Sequence, residues 1–159
     1  LLGGINKLSN NQPPMISNAN IPNKFNYFDV EIKRFVKLHK LTKFCFNPNF
    51  PINTLTMQRG ALVAQQDGFL IEYINSIAAG MWEDKKNMGD AEVLIDHLNK
   101  SGLKGKKIIE KTSDPEVKQK LIKNTEDAVN AGAFGVPTFF LNNQIFWGKE
   151  ALREMPEYF

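Results

Sequence analysis

The residues best suited to chemistry lie near the C-terminal end of the 159-residue sequence. Val136 and Pro137 stand immediately before an apolar run, "TFFL", which predicts a buried strand. Proline has no N–H to give a sheet, so this pair marks the first position of the strand. Gly148, Lys149 and Glu150 precede a helical pattern, and helix N-termini bind anions through their free N–H groups. The order of elements therefore predicts a strand that begins at Pro137 and, after a hairpin, a helix whose N-terminus could hold an anion.

Three further side chains could contact a ligand, and each has a structural alternative. Arg59 could hold a carboxylate through two hydrogen bonds, or it could form a salt bridge between helices. Asn53 could face the ligand or only cap a helix. Trp147 could form the wall of an aromatic site or belong to the core. The sequence leaves these alternatives open.

Composition and charge argue against several classes of protein. The formal net charge is +3, and lysines alternate with acidic residues along the predicted helices, which is not typical of a nucleic-acid surface. No stretch reaches the roughly 20 apolar residues that span a bilayer. Cys45 is the single cysteine, which fits a reducing, cytoplasmic compartment, and we expect it to be buried and inert. His39 and His97 stand apart without a ligand pattern, so we expect no metal site.

Helical periodicity dominates the middle of the sequence. It predicts a helix from Tyr27 to Lys40, a short strand over "LTKFCFNP", and helices over residues 53–131. Near the N-terminus, "LLGG" favours the end of a strand. Helix starts are expected at Asn53 or Thr54, at Asp90 and at Asp114. The buried face of the last of these helices is expected to comprise Val117, Leu121, Ile122, Ala128 and Val129.

The order of elements at the C-terminal end indicates a fold. A helix ends at Gly132, and X-Pro, a strand, an Asn142–Asn143 turn, a second strand and a final helix from Lys149 follow. This order is the second half of a thioredoxin-like fold.

Several blocks in register also resemble one family. The sequence is similar to 2-hydroxychromene-2-carboxylate isomerases and the related kappa-class glutathione transferases, within the disulfide-oxidoreductase-A-like superfamily, from Leu1 to about Leu152. The resemblance implies an α/β, thioredoxin-like fold interrupted by an all-helical insertion. Residues 1–24 would be a remnant of the N-terminal half, residues 25–131 the mainly helical insertion, and residues 132–159 the C-terminal half. The blocks are "LLGGINK…NNQPP", "FNPNFPINTLTMQRGAL", "DPEVKQKLIKNTEDAVNAGAFGVPTFF" and "IFWGKEAL".

The resemblance implies glutathione as cofactor and a cis–trans isomerisation in aromatic degradation. The thiolate of glutathione adds to a conjugated double bond of 2-hydroxychromene-2-carboxylate, the new single bond rotates, and the thiol leaves. In this family a serine that stabilises the thiolate lies in a strand and helix ahead of "LLGG". We therefore expect roughly 40 N-terminal residues to be missing, with that serine before Leu1, and assign no catalytic residue here.

Matching the family's motifs residue by residue implies two sets of contacts. Val136 would bind glutathione through its main chain beside a cis bond to Pro137, and Glu150 would contact the γ-glutamyl amine, whereas Lys149 departs from the small polar residue usual there. The expected glutathione contacts are Lys7, Asn11, Val136, Pro137, Gly148, Lys149 and Glu150. The expected substrate contacts are Asn53, Arg59 and Trp147.

Alternatives remain open at this point. They are a kappa-type glutathione transferase, a thiol–disulfide oxidoreductase whose CxxC precedes Leu1, and an inactive truncated domain. The expected partners are a small aromatic carboxylate substrate and a second copy in a homodimer, with no nucleic acid and no membrane.

Overall fold

The computed structural model describes all 159 residues and is mainly helical. It contains nine α-helices, one 3-10 helix and two strands. The helices are α1 (Leu2–Leu8), α2 (Pro14–Ser17), α3 (Pro22–Leu38), α4 (Leu55–Gln66), α5 (Leu70–Trp82), α6 (Ala91–Lys100), α7 (Gly105–Lys111), α8 (Pro115–Asn130) and α9 (Ala151–Glu154), and the 3-10 helix is Met155–Tyr158. The strands are β1 (Thr138–Leu141) and β2 (Gln144–Trp147). No helix is both long enough and apolar enough to cross a membrane.

The chain divides into two compact units. The first unit combines Leu1–Pro22 with Ile122–Phe159 and contains both strands. The second unit, Asn23–Leu121, is entirely helical apart from its loops. The domain division drawn from the sequence at residues 24 and 131 stays a prediction.

A tyrosine joins α4 to α5 in the core of the second unit. Tyr73 is 1% exposed, and its hydroxyl donates a hydrogen bond to the Met57 carbonyl at 2.9 Å. A side chain at Gly60 would place its Cβ only 2.1 Å from the Tyr73 hydroxyl oxygen, so the close approach of the two helices requires glycine at this position. Burial raises the pKa of Tyr73, which keeps the hydroxyl protonated as a donor.

The segment before α4 is a loop, so the strand predicted over "LTKFCFNP" is wrong. Its main-chain link to α5 runs from the Cys45 N–H to the Trp82 carbonyl, at 2.7 Å. Asn47, which is fully buried, donates to the carbonyls of Met81 and Lys86 at 2.9 and 2.8 Å. This side chain takes over the hydrogen bonding that a neighbouring strand would supply. Cys45 is partly exposed rather than buried, and its thiol contacts the Glu83 carbonyl.

The start of the first unit is also helical, against the strand end expected at "LLGG". Ile5 and Asn6 of α1 are buried, and Gly4 lies against Thr125 of α8. With no side chain at Gly4, the helix can approach α8 closely enough to bury Ile5. Packing therefore outweighs the poor helix propensity of two adjacent glycines.

The C-terminal hairpin is confirmed. β1 and β2 pair antiparallel, with Thr138 opposite Trp147, and Asn142 and Asn143 have positive φ angles of 50° and 61°. Such angles belong to the tight turn that joins strands with their natural twist.

Two details of the helices differ from the sequence expectation. Ile122 of α8 is 48% exposed, whereas Val117, Leu121 and Thr125 face inward. The final helix does not begin at Lys149, because α9 covers only Ala151–Glu154 before the chain tightens into a 3-10 turn at Pro156. Proline lacks the N–H that an α-helix needs, which explains the change.

The predicted helix starts at Asp90 and Asp114 are confirmed. The Asp90 carboxylate accepts hydrogen bonds from the N–H groups of Glu92 and Val93, and Asp114 accepts one from Glu116. The helix predicted to begin at Tyr27 starts earlier, at Pro22, where proline suits the first helical turn.

Replacing Gly60 by alanine is expected to destabilise the protein by about 2 kcal/mol, because the methyl group would collide with the fixed Tyr73 ring. The matched control is Gly3→Ala, where a methyl group meets nothing within 4 Å and should stabilise the helix by up to about 1 kcal/mol. Urea unfolding of the three chains measures both effects. Equal stability of Gly60→Ala and the unmodified chain would contradict the packing described here.

Candidate functional site

Val136 lies at a solvent-exposed edge of the first unit, which we call the Val136 corner. Its side chain is 48% exposed, and the peptide bond to Pro137 is cis, as the resemblance implied. The hydrogen-bonded ladder of the C-terminal hairpin ends one position beyond the pair of Thr138 and Trp147, where the Gly148 N–H donates to the Pro137 carbonyl at 2.9 Å. The main-chain N–H and C=O of Val136 have no partner in the chain. They are therefore available to an extended ligand.

Asn11 reaches the same corner from the loop after α1. Its side-chain amide donates to the Phe134 carbonyl at 2.7 Å, two residues before Val136. Its oxygen accepts from the Gln12 N–H at 2.8 Å, which is a local turn contact. The structure thus brings Asn11 to the segment that precedes Val136, and its role toward glutathione stays a prediction.

An aromatic pair borders the corner. The rings of Phe134 and Trp147 have centroids 5.2 Å apart and are tilted by 42°. Trp147 is 52% exposed, so it is not a core residue. Exposed aromatic faces of this kind are suited to hold an apolar or planar group.

A charged cluster follows Gly148. The Glu150 carboxylate contacts the Lys149 ammonium at 2.8 Å and the Arg153 guanidinium at 2.7 Å. The hydrogen bond from Lys149, with the charge of Arg153, holds the pKa of Glu150 below its usual 4.5. Glu150 precedes a helix of only four residues, and the anion site expected at the start of the last helix stays a prediction. The cluster offers one carboxylate and two cations.

Arg153 was not among the residues expected from the sequence. Its spacing of three from Glu150 on a helical pattern is the signal that could have identified it. Asn6 was missed as well: it is 7% exposed, and its side-chain nitrogen has no hydrogen-bond partner. Lys7, beside it at the end of α1, is exposed, and its side chain makes no hydrogen bond or ion pair.

The other two predicted substrate residues belong to the second unit. Asn53 is exposed, and its oxygen accepts from the Leu55 N–H at 3.0 Å at the start of α4. Arg59 is partly buried, its Nε has no partner, and the interhelical salt bridge considered as its alternative is not formed. Both residues are placed on or beside α4, and their role toward a substrate stays a prediction.

The pKa of Glu150 provides a direct check of the charged cluster. An NMR titration of its carboxyl group should give a pKa below 4.5. Lys149→Met should raise this pKa more than Arg153→Met does, because the hydrogen bond is the larger influence. Since the folded pKa is depressed, the stabilising contacts are present at neutral pH and are lost as the pH falls through it.

Lys123→Met is the control, since Lys123 pairs with Asp127 on α8. This variant should leave the Glu150 titration unchanged. A Glu150 pKa that is the same with and without Lys149 would show that the cluster does not form in solution.

Comparison with known proteins places this geometry in a family. A family model described as DSBA-like thioredoxin domain matches residues 1–159. Glutathione S-transferase kappa 1 of Rattus norvegicus is 28% identical over 147 residues, which cover 87% of this chain and 63% of the rat protein. A solved structure of 2-hydroxychromene-2-carboxylate isomerase, in selenomethionine form, matches with a TM-score of 0.83 and 21% identity, over 99% of this chain and 75% of that one.

These matches confirm the thioredoxin-like fold with its helical insertion. The chain spans 63% of the length of the rat relative. The cis Val136–Pro137 bond, the hairpin after it and the helical second unit agree with a match that extends over the whole sequence. The chain belongs to the DSBA-like thioredoxin domain family.

Proposed function

We propose that the protein binds glutathione at the Val136 corner of its first unit. The observation that carries the proposal is the unpaired main chain of Val136, which stands exposed next to Pro137. The cysteinyl residue of glutathione would pair with it as a short antiparallel strand, its N–H donating to the Val136 carbonyl and its carbonyl accepting from the Val136 N–H. Main-chain pairing of this kind gives affinity without a specific side chain.

The charged cluster suits the γ-glutamyl end of glutathione. This end carries an ammonium and a carboxylate. Because its pKa is lowered, Glu150 is ionised at neutral pH and can accept from the ammonium. Lys149 and Arg153, which contact Glu150 at 2.8 and 2.7 Å, can hold the carboxylate. Lys149 contributes a cation at the position where the resemblance to the isomerases and kappa-class transferases implies a small polar residue.

Lys7, Asn11 and Trp147 complete the proposed site. Lys7 has no partner in the chain and can supply positive charge to a ligand carboxylate. Asn11 supports the Phe134–Val136 segment through its 2.7 Å hydrogen bond. Trp147, with its ring half exposed, would contact a planar substrate.

The reaction we propose is a glutathione-dependent cis–trans isomerisation of a conjugated aromatic carboxylate of the 2-hydroxychromene-2-carboxylate type. The ring C–O bond of the cyclic hemiketal first opens to give a ketone and a phenol. The thiolate then forms a bond to the alkene carbon next to the aromatic ring, and the electron pair of the double bond moves to the ketone oxygen as an enolate. Rotation about the resulting single bond is followed by return of the electron pair and departure of the thiolate, so glutathione is regenerated. Positive charge near the enolate and the substrate carboxylate stabilises the intermediate.

A kappa-type glutathione transferase is the second candidate. The 28% identity to the rat transferase over 87% of this chain favours it. The two activities differ in their products, because a transferase releases the glutathione adduct whereas an isomerase returns free glutathione. This difference makes them distinguishable in one assay.

The test is the conversion of 2-hydroxychromene-2-carboxylate, followed by absorbance, with glutathione and with S-methylglutathione. We expect isomerisation with glutathione only, since the methylated thiol cannot form a thiolate. Trp147→Ala should lower kcat/KM about tenfold through loss of ring contact. Tyr27→Ala, which removes an exposed aromatic ring from α3, is the control and should have no effect.

Accumulation of a glutathione adduct would support the transferase instead. Equal rates with glutathione and with S-methylglutathione, or no catalysed conversion of either kind, would overturn the proposed reaction.

A further inference from the structure

A separate pocket of about 360 Å³ opens in the second unit. It lies between the loop before α4 and the facing sides of α4 and α5, and all its lining residues belong to this unit. Volumes of this size are typical of small-molecule sites.

The pocket is lined mainly by aromatic and other apolar side chains. Phe50 and Trp82 have ring centroids 6.1 Å apart, and Met57 and Met81 also contribute to the lining. Phe50 and Ile74 remain 42% and 46% exposed, so a ligand here would remove large apolar surfaces from water. Methionine side chains adapt to the shape of a bound ring. This composition favours a planar, apolar ligand.

None of the residues that line the pocket is charged. An ionised ligand would therefore lose its hydration without gaining a counter-charge. The pocket selects neutral molecules.

One edge of the pocket is polar. The Gln58 side-chain nitrogen donates to the Thr54 hydroxyl at 2.9 Å, which leaves the Gln58 amide oxygen without a partner in the chain. The Tyr73 hydroxyl donates its proton to the Met57 carbonyl, and Tyr73 is only 1% exposed, so its oxygen is not accessible to a ligand donor. The amide oxygen of Gln58 is thus an acceptor that a ligand donor can reach.

We infer that this pocket binds a small, neutral, ring-containing molecule that carries one hydrogen-bond donor. The ring lies between Phe50, Trp82 and the two methionines, and the donor faces the Gln58 oxygen. The inference does not depend on glutathione binding, because it uses residues of the second unit alone.

Indole is a suitable probe, since it is a neutral planar bicycle with a single N–H donor. It is titrated into the ¹⁵N-labelled 159-residue chain, and the side-chain N–H signals of Trp82 and Gln58 are followed. The Trp147 signal, identified with Trp147→Phe, should not move. We expect saturable shifts at Trp82 and Gln58, binding of 1-methylindole about fivefold weaker because the donor is lost, and no saturable shift with indole-3-carboxylate.

Two variants locate the ligand. Ala61→Phe should fill the pocket and weaken indole binding at least about tenfold. Ala91→Phe adds the same group at the exposed start of α6 and should leave the affinity unchanged. Gln58→Leu should make indole and 1-methylindole bind equally, and it serves as the deciding variant if Ala61→Phe does not fold.

Absence of a saturable shift with indole would overturn the inference. The same holds for equal binding of indole and indole-3-carboxylate, for unchanged affinity in a folded Ala61→Phe chain, or for a preference for indole that survives Gln58→Leu.

Discussion

The hydrogen bond between the Gly148 N–H and the Pro137 carbonyl is the interaction on which the candidate site depends. It is the last link of the C-terminal hairpin, one position beyond the pair of Thr138 and Trp147. Because the ladder ends there, Val136 stays outside it with a free main chain. The φ angle of 76° at Gly148, which glycine adopts without strain, then turns the chain toward Lys149 and Glu150. This one hydrogen bond thus positions both the free main chain of Val136 and the charged cluster that follows Gly148.

In the second unit, hydrogen bonds from buried polar side chains replace regular main-chain pairing. Asn47 binds two carbonyls and holds the loop that carries Phe50, while the Tyr73 hydroxyl binds a carbonyl of α4. Both side chains are almost fully buried with their donors satisfied, so they add specificity without the cost of a buried unpaired group. The apolar pocket lies between these fixed points, and its lining keeps Phe50 and Ile74 partly exposed to water.

Local signals in the sequence predicted the elements whose structure is decided locally. The aspartates at 90 and 114 cap their helices, and two asparagines form the hairpin turn, because each acts on main-chain groups within a few residues. The predictions failed where distant contacts decide. "LTKFCFNP" has the composition of a strand, but hydrogen bonds from Asn47 and to the Trp82 carbonyl fix it as a loop. "LLGG" was expected to end a strand, but it is helical because Ile5 is buried there. Likewise, the exposure of Val136 and the missing partner of Arg59 depend on tertiary packing, which no local pattern records.

We propose that the Val136 main chain is a docking edge for a thiol peptide. The decisive observation is the backbone amide signal of Val136 during titration of the ¹⁵N-labelled chain with reduced glutathione. We expect a saturable downfield shift of this signal and slowed exchange of its proton, since the N–H gains an acceptor. S-methylglutathione should produce the same change, because the main-chain pairing does not use the thiol. A Val136 amide that stays unaffected at saturating glutathione, while signals elsewhere in the chain shift, would show that glutathione does not pair with the Val136 main chain.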